Sequence, residues 1–313
     1  MLSKGLKSDR PPEGKDAAAG AFNVGRLKVL VWMGGILLVS RGVAQDEGYI
    51  FPYRLDAPDT VLSLAQEELR EISGLSATHK KGMLCAVSDE RGEIFFIDAA
   101  TGAVLQRVLF REKGDFEGVE MVQDRLYAVR SNGQLYEIEG WQRRKPRVKC
   151  YETPLTKRDD VEGLAYDPNR RALLLACKGI PDSAHERRIY AFDLLGKSLI
   201  ETPVYRIDPR QINEKVPYAE GEKQHFFSPS GIAIHPSTQE VFVLSTSLKR
   251  LVVLDYSTGS LRYAARLDRD IMPQPEGIAF DAEGRLFIAS EGKKKGPGLL
   301  LRFSPQAMPP EKR

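Results

Sequence analysis

From about residue 70 onward, short apolar runs alternate with turns rich in Gly, Asn, Asp and Ser. The first run of each unit starts at a glycine: Gly74-Leu75, Gly118-Val119, Gly163-Leu164-Ala165, Gly231-Ile232-Ala233 and Gly277-Ile278-Ala279. A second run follows each (83–88, 125–130, 173–178, 241–246 and 285–291), then a third (93–98, 134–138, 188–193, 250–255 and 298–303). Thr101-Gly102 and Thr258-Gly259 are turns into fourth runs at 103–110 and 260–267. Runs this short, rich in β-branched and aromatic residues and bounded by turn residues, predict strands. Residues 60–72 carry one weak helical period, and no longer window carries a better one.

The motif glycines lie 44, 45, 68 and 46 residues apart. Four short strands in a unit of that length form the blade of a β-propeller. The pattern therefore predicts an all-β chain with five blades of four strands, a sixth blade formed by 195–227 with the N-terminal segment being the alternative. The long unit carries two turn-rich polar insertions, 179–187 and 209–227, read as loops on one face. The fifth unit stops after its third strand, so residues 49–55 are expected to supply its outer strand and close the ring, removing an exposed edge.

Residues 1–44 stand apart. A polar, unusually long stretch leads through Arg26 and Lys28 into an apolar run at 29–39, followed by Gly42-Val43-Ala44. Eleven apolar residues suit the h-region of a signal peptide and are short for a spanning helix. Cleavage is expected after Ala44, leaving 45–313 as a single propeller domain in the periplasm or beyond. An uncleaved inner-membrane anchor is the rival reading. Seven of the 46 Lys/Arg and three of the 43 Asp/Glu lie in 1–44, which leaves 39 basic against 40 acidic residues. The apparent basicity belongs to the export segment, and nothing points to a nucleic-acid partner. Cys85, Cys150 and Cys177 are odd in number and irregularly spaced, which argues against a disulfide framework or a zinc site.

The candidate chemistry sits beside the motif glycines. The first strand of a propeller blade lines the central channel, so Glu71 or Ser73, Glu117, Glu162, Ser230 and Glu276 should converge at one end, with Asp115 and Asp160 close by. Facing carboxylates cannot all stay ionised without compensation. A hard cation held by oxygen ligands, Ca²⁺ first, is one answer, with Glu71, Glu117, Glu162 and Glu276 as ligands. A second ring at the ends of the second strands comprises Ser88, Arg130, Lys178, Thr246 and Glu291. Its two cations either neutralise the glutamates or, with Ser230 and Glu291, hold a ligand. The purely structural alternative makes each motif glutamate a fastener that accepts backbone N–H groups of the next blade. No nucleophile elbow, phosphate loop or zinc-protease motif is present. His79 and His235 fall in turns, and His185 and His225 in the insertions.

Asp115-x-Glu117-Gly118, Asp160-x-Glu162-Gly163, Ser230-Gly231-Ile232, Pro275-Glu276-Gly277-Ile278-Ala279-Phe280-Asp281 and Ala289-Ser290-Glu291 together resemble the SdiA-regulated family of bacterial extracytoplasmic propellers. The likeness runs over roughly 50–303. One departure is the loop Gly292-Lys293-Lys294-Lys295-Gly296-Pro297, where the family more often has a tighter turn. The family's name describes no chemistry. A more distant resemblance, to propeller lactonases and phytase-like esterases, implies acids around a central metal. The expectation is thus an exported, monomeric binding module with an acidic channel mouth that takes Ca²⁺ and an unidentified small molecule or protein. A metal-dependent hydrolase is the alternative, and ring glutamates with a purely structural role the second alternative.

Overall fold

The computed structural model describes residues 49–179, 185–222, 225–293 and 296–306. Residues 1–48, which include the expected export segment, lie outside the described residues. Among the described residues no helix is long and apolar enough to cross a membrane.

The strands pair into five antiparallel sheets of four, one per repeat unit. Blades 1 to 4 comprise residues 72–111, 116–151, 161–207 and 231–266. In each, the strands follow one another in sequence order across the sheet. The innermost strands are Ile72–Ala77, Phe116–Val122, Val161–Asp167, Gly231–Ile234 and Gln274–Phe280. The second strands are apolar at their inner positions because both faces are covered by neighbouring blades; Val241–Ser245 is buried at every position. The outer strands have one side in water. Arg147–Tyr151 (RVKCY) shows how charged residues keep such an edge from pairing with other chains. The apolar side chains gather in five clusters, one between each pair of adjacent blades.

Blade 5 takes its three inner strands from 274–303 and its outer strand from Thr60–Leu64, with Thr60 opposite Arg302 and Leu64 opposite Gly298. The ring is closed by an N-terminal strand, but not by residues 49–55. Those carry large rings at alternate positions, and the rings wedge between blades 4 and 5 instead. Phe51 stacks on Tyr263 at 4.2 Å between centroids, and the Tyr53 hydroxyl donates to the Gly284 carbonyl at 2.6 Å. The weak helical period over 60–72 resolves into that closing strand and a single 3-10 turn, Glu67–Glu71.

Among the described residues the long unit holds no sixth blade. Ser198–Ile207 is the outer strand of blade 3, and the short helix Pro209–Lys215 follows it. The helix is a correction to the expectation of loop over 209–227. The Asp208 carboxylate caps it by accepting the Arg210 N–H, Pro209 suits its first turn, and Ile212 is its buried anchor. One apolar anchor in seven residues leaves no period to read. The following loop is held down by Glu222, which accepts from the fully buried Arg250 at 3.2 Å and from Arg266. These two cations hold its carboxyl at about 2, against the cost of burial.

The recurring glycine is the seam of the ring. A Cβ built on Gly74 would lie 2.7 Å from the backbone of Gly118 and Val119, and one on Gly231 2.3 Å from the Glu276 carbonyl oxygen. Each inner strand thus presses its glycine against the inner strand of the next blade, a distance only a residue without a side chain allows.

Candidate functional site: an acidic channel mouth

A β-bulge aims the motif glutamates. In blade 2 the pairing steps from Phe116–Arg130 to Gly118–Val129, leaving Glu117 without a partner. Glu162 is skipped between Val161 and Gly163, and Glu276 between Pro275 and Gly277. A residue left out of the ladder is turned away from its sheet, and here the three turn into the channel. With Gly74, Gly118, Gly163, Gly231 and Gly277 they line a void of only about 10 Å³, pinched by Leu75, Leu164, Ile232 and Ile278.

Blade 1 has the same break in pairing between Ile72 and Leu75, so Ser73, not Glu71, occupies the equivalent position. Glu71 ends the 3-10 turn, is exposed, and does not line the constriction. It instead faces Asp89 and Glu291, raising the pKa of each. Blade 4 contributes Ser230, whose buried hydroxyl donates to the Pro275 carbonyl at 2.8 Å. The Thr246 hydroxyl makes a short bond to the same oxygen. Ser230 therefore ties blade 4 to blade 5.

The second ring splits in the same way. Lys178 reaches Glu162 at 3.0 Å and lies 4.0 Å from Asp160. Burial works against its ammonium, but Glu162 outweighs burial and its pKa rises. Arg130 turns to Gln134 of its own blade, at 2.7 Å, and its Nε is buried without a partner. Glu291 receives a short bond from the Gln274 amide. Lys249, three residues beyond the second-ring position Thr246, donates to the Thr246 carbonyl at 2.6 Å, and burial lowers its pKa.

The carboxylates outnumber these cations. Burial, then Glu162 and Asp115, push Glu117 up to about 9. Burial, then Glu162 and Glu291, push Glu276 up to about 8, and burial with Asp89 and Glu71 pushes Glu291 up to about 7. Glu162 is also raised, because burial exceeds what Lys178 returns. Asp89 belongs to the same field; its Oδ1 is buried without a partner. The mouth is an arc of acids over blades 1, 2, 3 and 5, partly neutralised by Lys178 and Lys249. Among the described residues, no three His, Cys, Asp or Glu side chains are drawn together as a ready-made metal cage.

Fasteners between blades exist at further positions besides Ser230. Glu120 of blade 2 accepts from Ser76 of blade 1 at 2.6 Å and from the Tyr166 N–H of blade 3 at 3.2 Å. Tyr256 of blade 4 donates to Asp167 of blade 3 at 3.1 Å. Glu137 of blade 2, fully buried, meets Lys197 of blade 3 at 3.1 Å.

Comparison with known proteins places the architecture. Many solved structures match the chain. One is the glutaminyl cyclase of Myxococcus xanthus, 14% identical, TM-score 0.53, covering 80% of this chain and 97% of that one. A luciferin-regenerating enzyme is 11% identical with TM-score 0.48 over 79% and 95% of the two chains. The PQQ-bound aldose sugar dehydrogenase of Streptomyces coelicolor is 16% identical with TM-score 0.46 over 79% and 99%. At 14% identity the likeness to the cyclase extends to the fold alone. No curated protein matches the chain. The family model described as SdiA-regulated matches residues 52–304, nearly the whole propeller, and the chain belongs to the SdiA-regulated family.

Proposed function

We propose that the chain is an exported binding module whose acidic mouth takes up a cation, Ca²⁺ being the ion expected, together with a small-molecule or protein partner. The observation that carries this reading is the excess of inward carboxylates: three equivalent bulges aim Glu117, Glu162 and Glu276 into the channel, and Lys178 pairs directly with Glu162 of the three. Such a cluster either holds protons or draws in positive charge. Oxygen donors without His or Cys suit a hard cation, which accepts flexible geometry at 2.3–2.6 Å. Glu117, Glu162 and Glu276 would hold it after small side-chain rotations, with Glu291 and Asp89 as the outer acids. Export rests on the apolar run at 29–39 and the small residues after it.

The hydrolase alternative would take its nucleophile from a metal-bound water and its base from a channel glutamate. Several hydroxyls around the mouth are already engaged: Ser131 with Asp115, Ser230 and Thr246 with Pro275, Ser290 with the Glu291 carbonyl. Turnover would therefore rest on that water, and a screen of lactones and phosphoesters divides the two readings.

Thermal unfolding in EDTA and then in increasing Ca²⁺ tests the proposal. An ion that binds only the folded state raises the transition with concentration, by roughly 5 °C or more once it exceeds its dissociation constant a hundredfold. Glu162→Gln should abolish most of that rise. A transition that Ca²⁺ leaves in place, or one that it moves equally in the variant, overturns the assignment.

A further inference from the structure

The larger cavity of the propeller is at the other end of the channel. It measures about 220 Å³ and is lined by residues from all five blades, including Leu75, Glu120, Tyr166, His235, Ile278 and Phe280. The apolar pinch at Leu75, Leu164, Ile232 and Ile278 separates it from the acidic mouth. It exceeds the cavity of about 150 Å³ that admits a benzene molecule in an engineered protein core.

Its walls mix apolar side chains with neutral polar ones, among them Ser76, Asn169 and Gln239, and carry one formal charge. Glu120 is the only Asp, Glu, Lys or Arg in the lining. Among the described residues no basic side chain pairs with it, and all its donors are neutral: the Ser76 hydroxyl at 2.6 Å, the Met121 N–H at 3.1 Å and the Tyr166 N–H at 3.2 Å. A carboxylate offers about four acceptor positions, so one remains. His235, across the cavity, supplies no charge. Its Nδ1 accepts the N–H groups of Ser237 and Thr238, and burial lowers its pKa.

We infer that this cavity is a second ligand site, for a small primary ammonium with an apolar body, whose charged end pairs with the Glu120 carboxylate. The remaining acceptor position suits one N–H donor, and the alanines, Ile278 and Phe280 suit a hydrocarbon or aromatic body. A hard metal ion would need six or more oxygens, which one carboxylate cannot give. A fastener alone would not require a cavity beside it. Burial pushes Glu120 up to about 7, so at neutral pH its charge is held only marginally, and a bound cation would secure it.

Benzylammonium and its uncharged counterpart, benzyl alcohol, separate the outcomes when each is titrated into the full-length ¹⁵N-labelled protein. Benzylammonium should shift the amide signals of Met121 and Tyr166 saturably and leave those of Glu162 and Lys178 in place. Benzyl alcohol should bind at least tenfold more weakly, the loss expected when a charge-assisted hydrogen bond is removed. Glu120→Gln should weaken benzylammonium by a similar factor. That variant sets an amide N–H₂ against the Tyr166 N–H and is open to misfolding, but the comparison of the two ligands on the wild-type protein stands without it. Shifts confined to the mouth, no saturable shift, or equal binding of the alcohol would each overturn the inference.

Discussion

Glu117 concentrates the electrostatics of the mouth in one side chain. Its carboxyl is raised to about 9 and that of Glu276 to about 8, against an ordinary 4.5. Between those limits the folded protein keeps protons that the unfolded chain has released, so stability must fall as pH rises across the window. Glu222 acts in the opposite sense, but its contribution is complete above 4.5 and is lost only toward about 2. Lys178, whose pKa is raised, softens the effect without reversing it. The metal-free protein should therefore lose about 2 to 3 kcal/mol between pH 5 and 8.5, read as a fall of roughly 5–10 °C in Tm. Glu117→Gln should remove part of that slope, leaving the share of Glu276, and raise stability at the alkaline end. A wild-type Tm that is level or rising with pH would show that these acids are not crowded. Glu117, Glu162 and Glu276 could be found from the repeat because each directly precedes the glycine. Glu71 was misplaced because it and Ser73 are two residues apart, and a period of two puts both on one face. Counting from Gly74 selects Ser73, as the bulge in blade 1 does. Asp89 and Lys249 lie one and three residues beyond the second-ring positions, where turns of different length destroy the alignment.

At the level of the element, strands were legible and their partners less so. The second strands advertise themselves as unbroken apolar runs because two blades cover them. The outer strands, half in water, carry weaker signals, and for blade 3 the pattern named none, although Ser198–Ile207 is the longest strand described. The closing strand Thr60–Leu64 alternates cleanly but was masked by the aromatic run before it. The glycine, the clearest mark in the sequence, has a reason that only the seam reveals. Gly231→Ala would drive a methyl group to 2.3 Å from the Glu276 carbonyl oxygen, a backbone atom with no rotamer to escape into. The cost should reach about 1–3 kcal/mol. Because the displaced carbonyl belongs to a mouth glutamate, Ca²⁺ stabilisation should weaken in the same variant. Denaturant unfolding with and without Ca²⁺ measures both. A variant as stable as the wild type would mean that the blades sit further apart than described.

Across the whole molecule, a ring of similar units raises the question of whether blades melt one at a time. In an open stack each repeat answers only to its neighbours, and distant repeats can unfold separately. Closure changes that, since the outer strand of blade 5 comes from the opposite end of the chain, and the Gln306 N–H bonds the Pro52 carbonyl at 2.7 Å beside it. Leu64, in that closing strand, is fully buried between blades 5 and 1. Leu64→Ala should cost about 2–4 kcal/mol through lost burial and the cavity left behind. Trp141, stacked on Phe96 at 4.5 Å between blades 1 and 2, reports on a distant part of the ring. With Trp32 replaced by Phe, its fluorescence follows that region alone. If the ring unfolds as one unit, Leu64→Ala moves the Trp141 midpoint in urea as far as it moves the circular-dichroism midpoint. A Trp141 midpoint that stays put while the dichroism shifts would mean that closure holds only its own blade, and that the mouth, built from blades 1, 2, 3 and 5, is not assembled cooperatively.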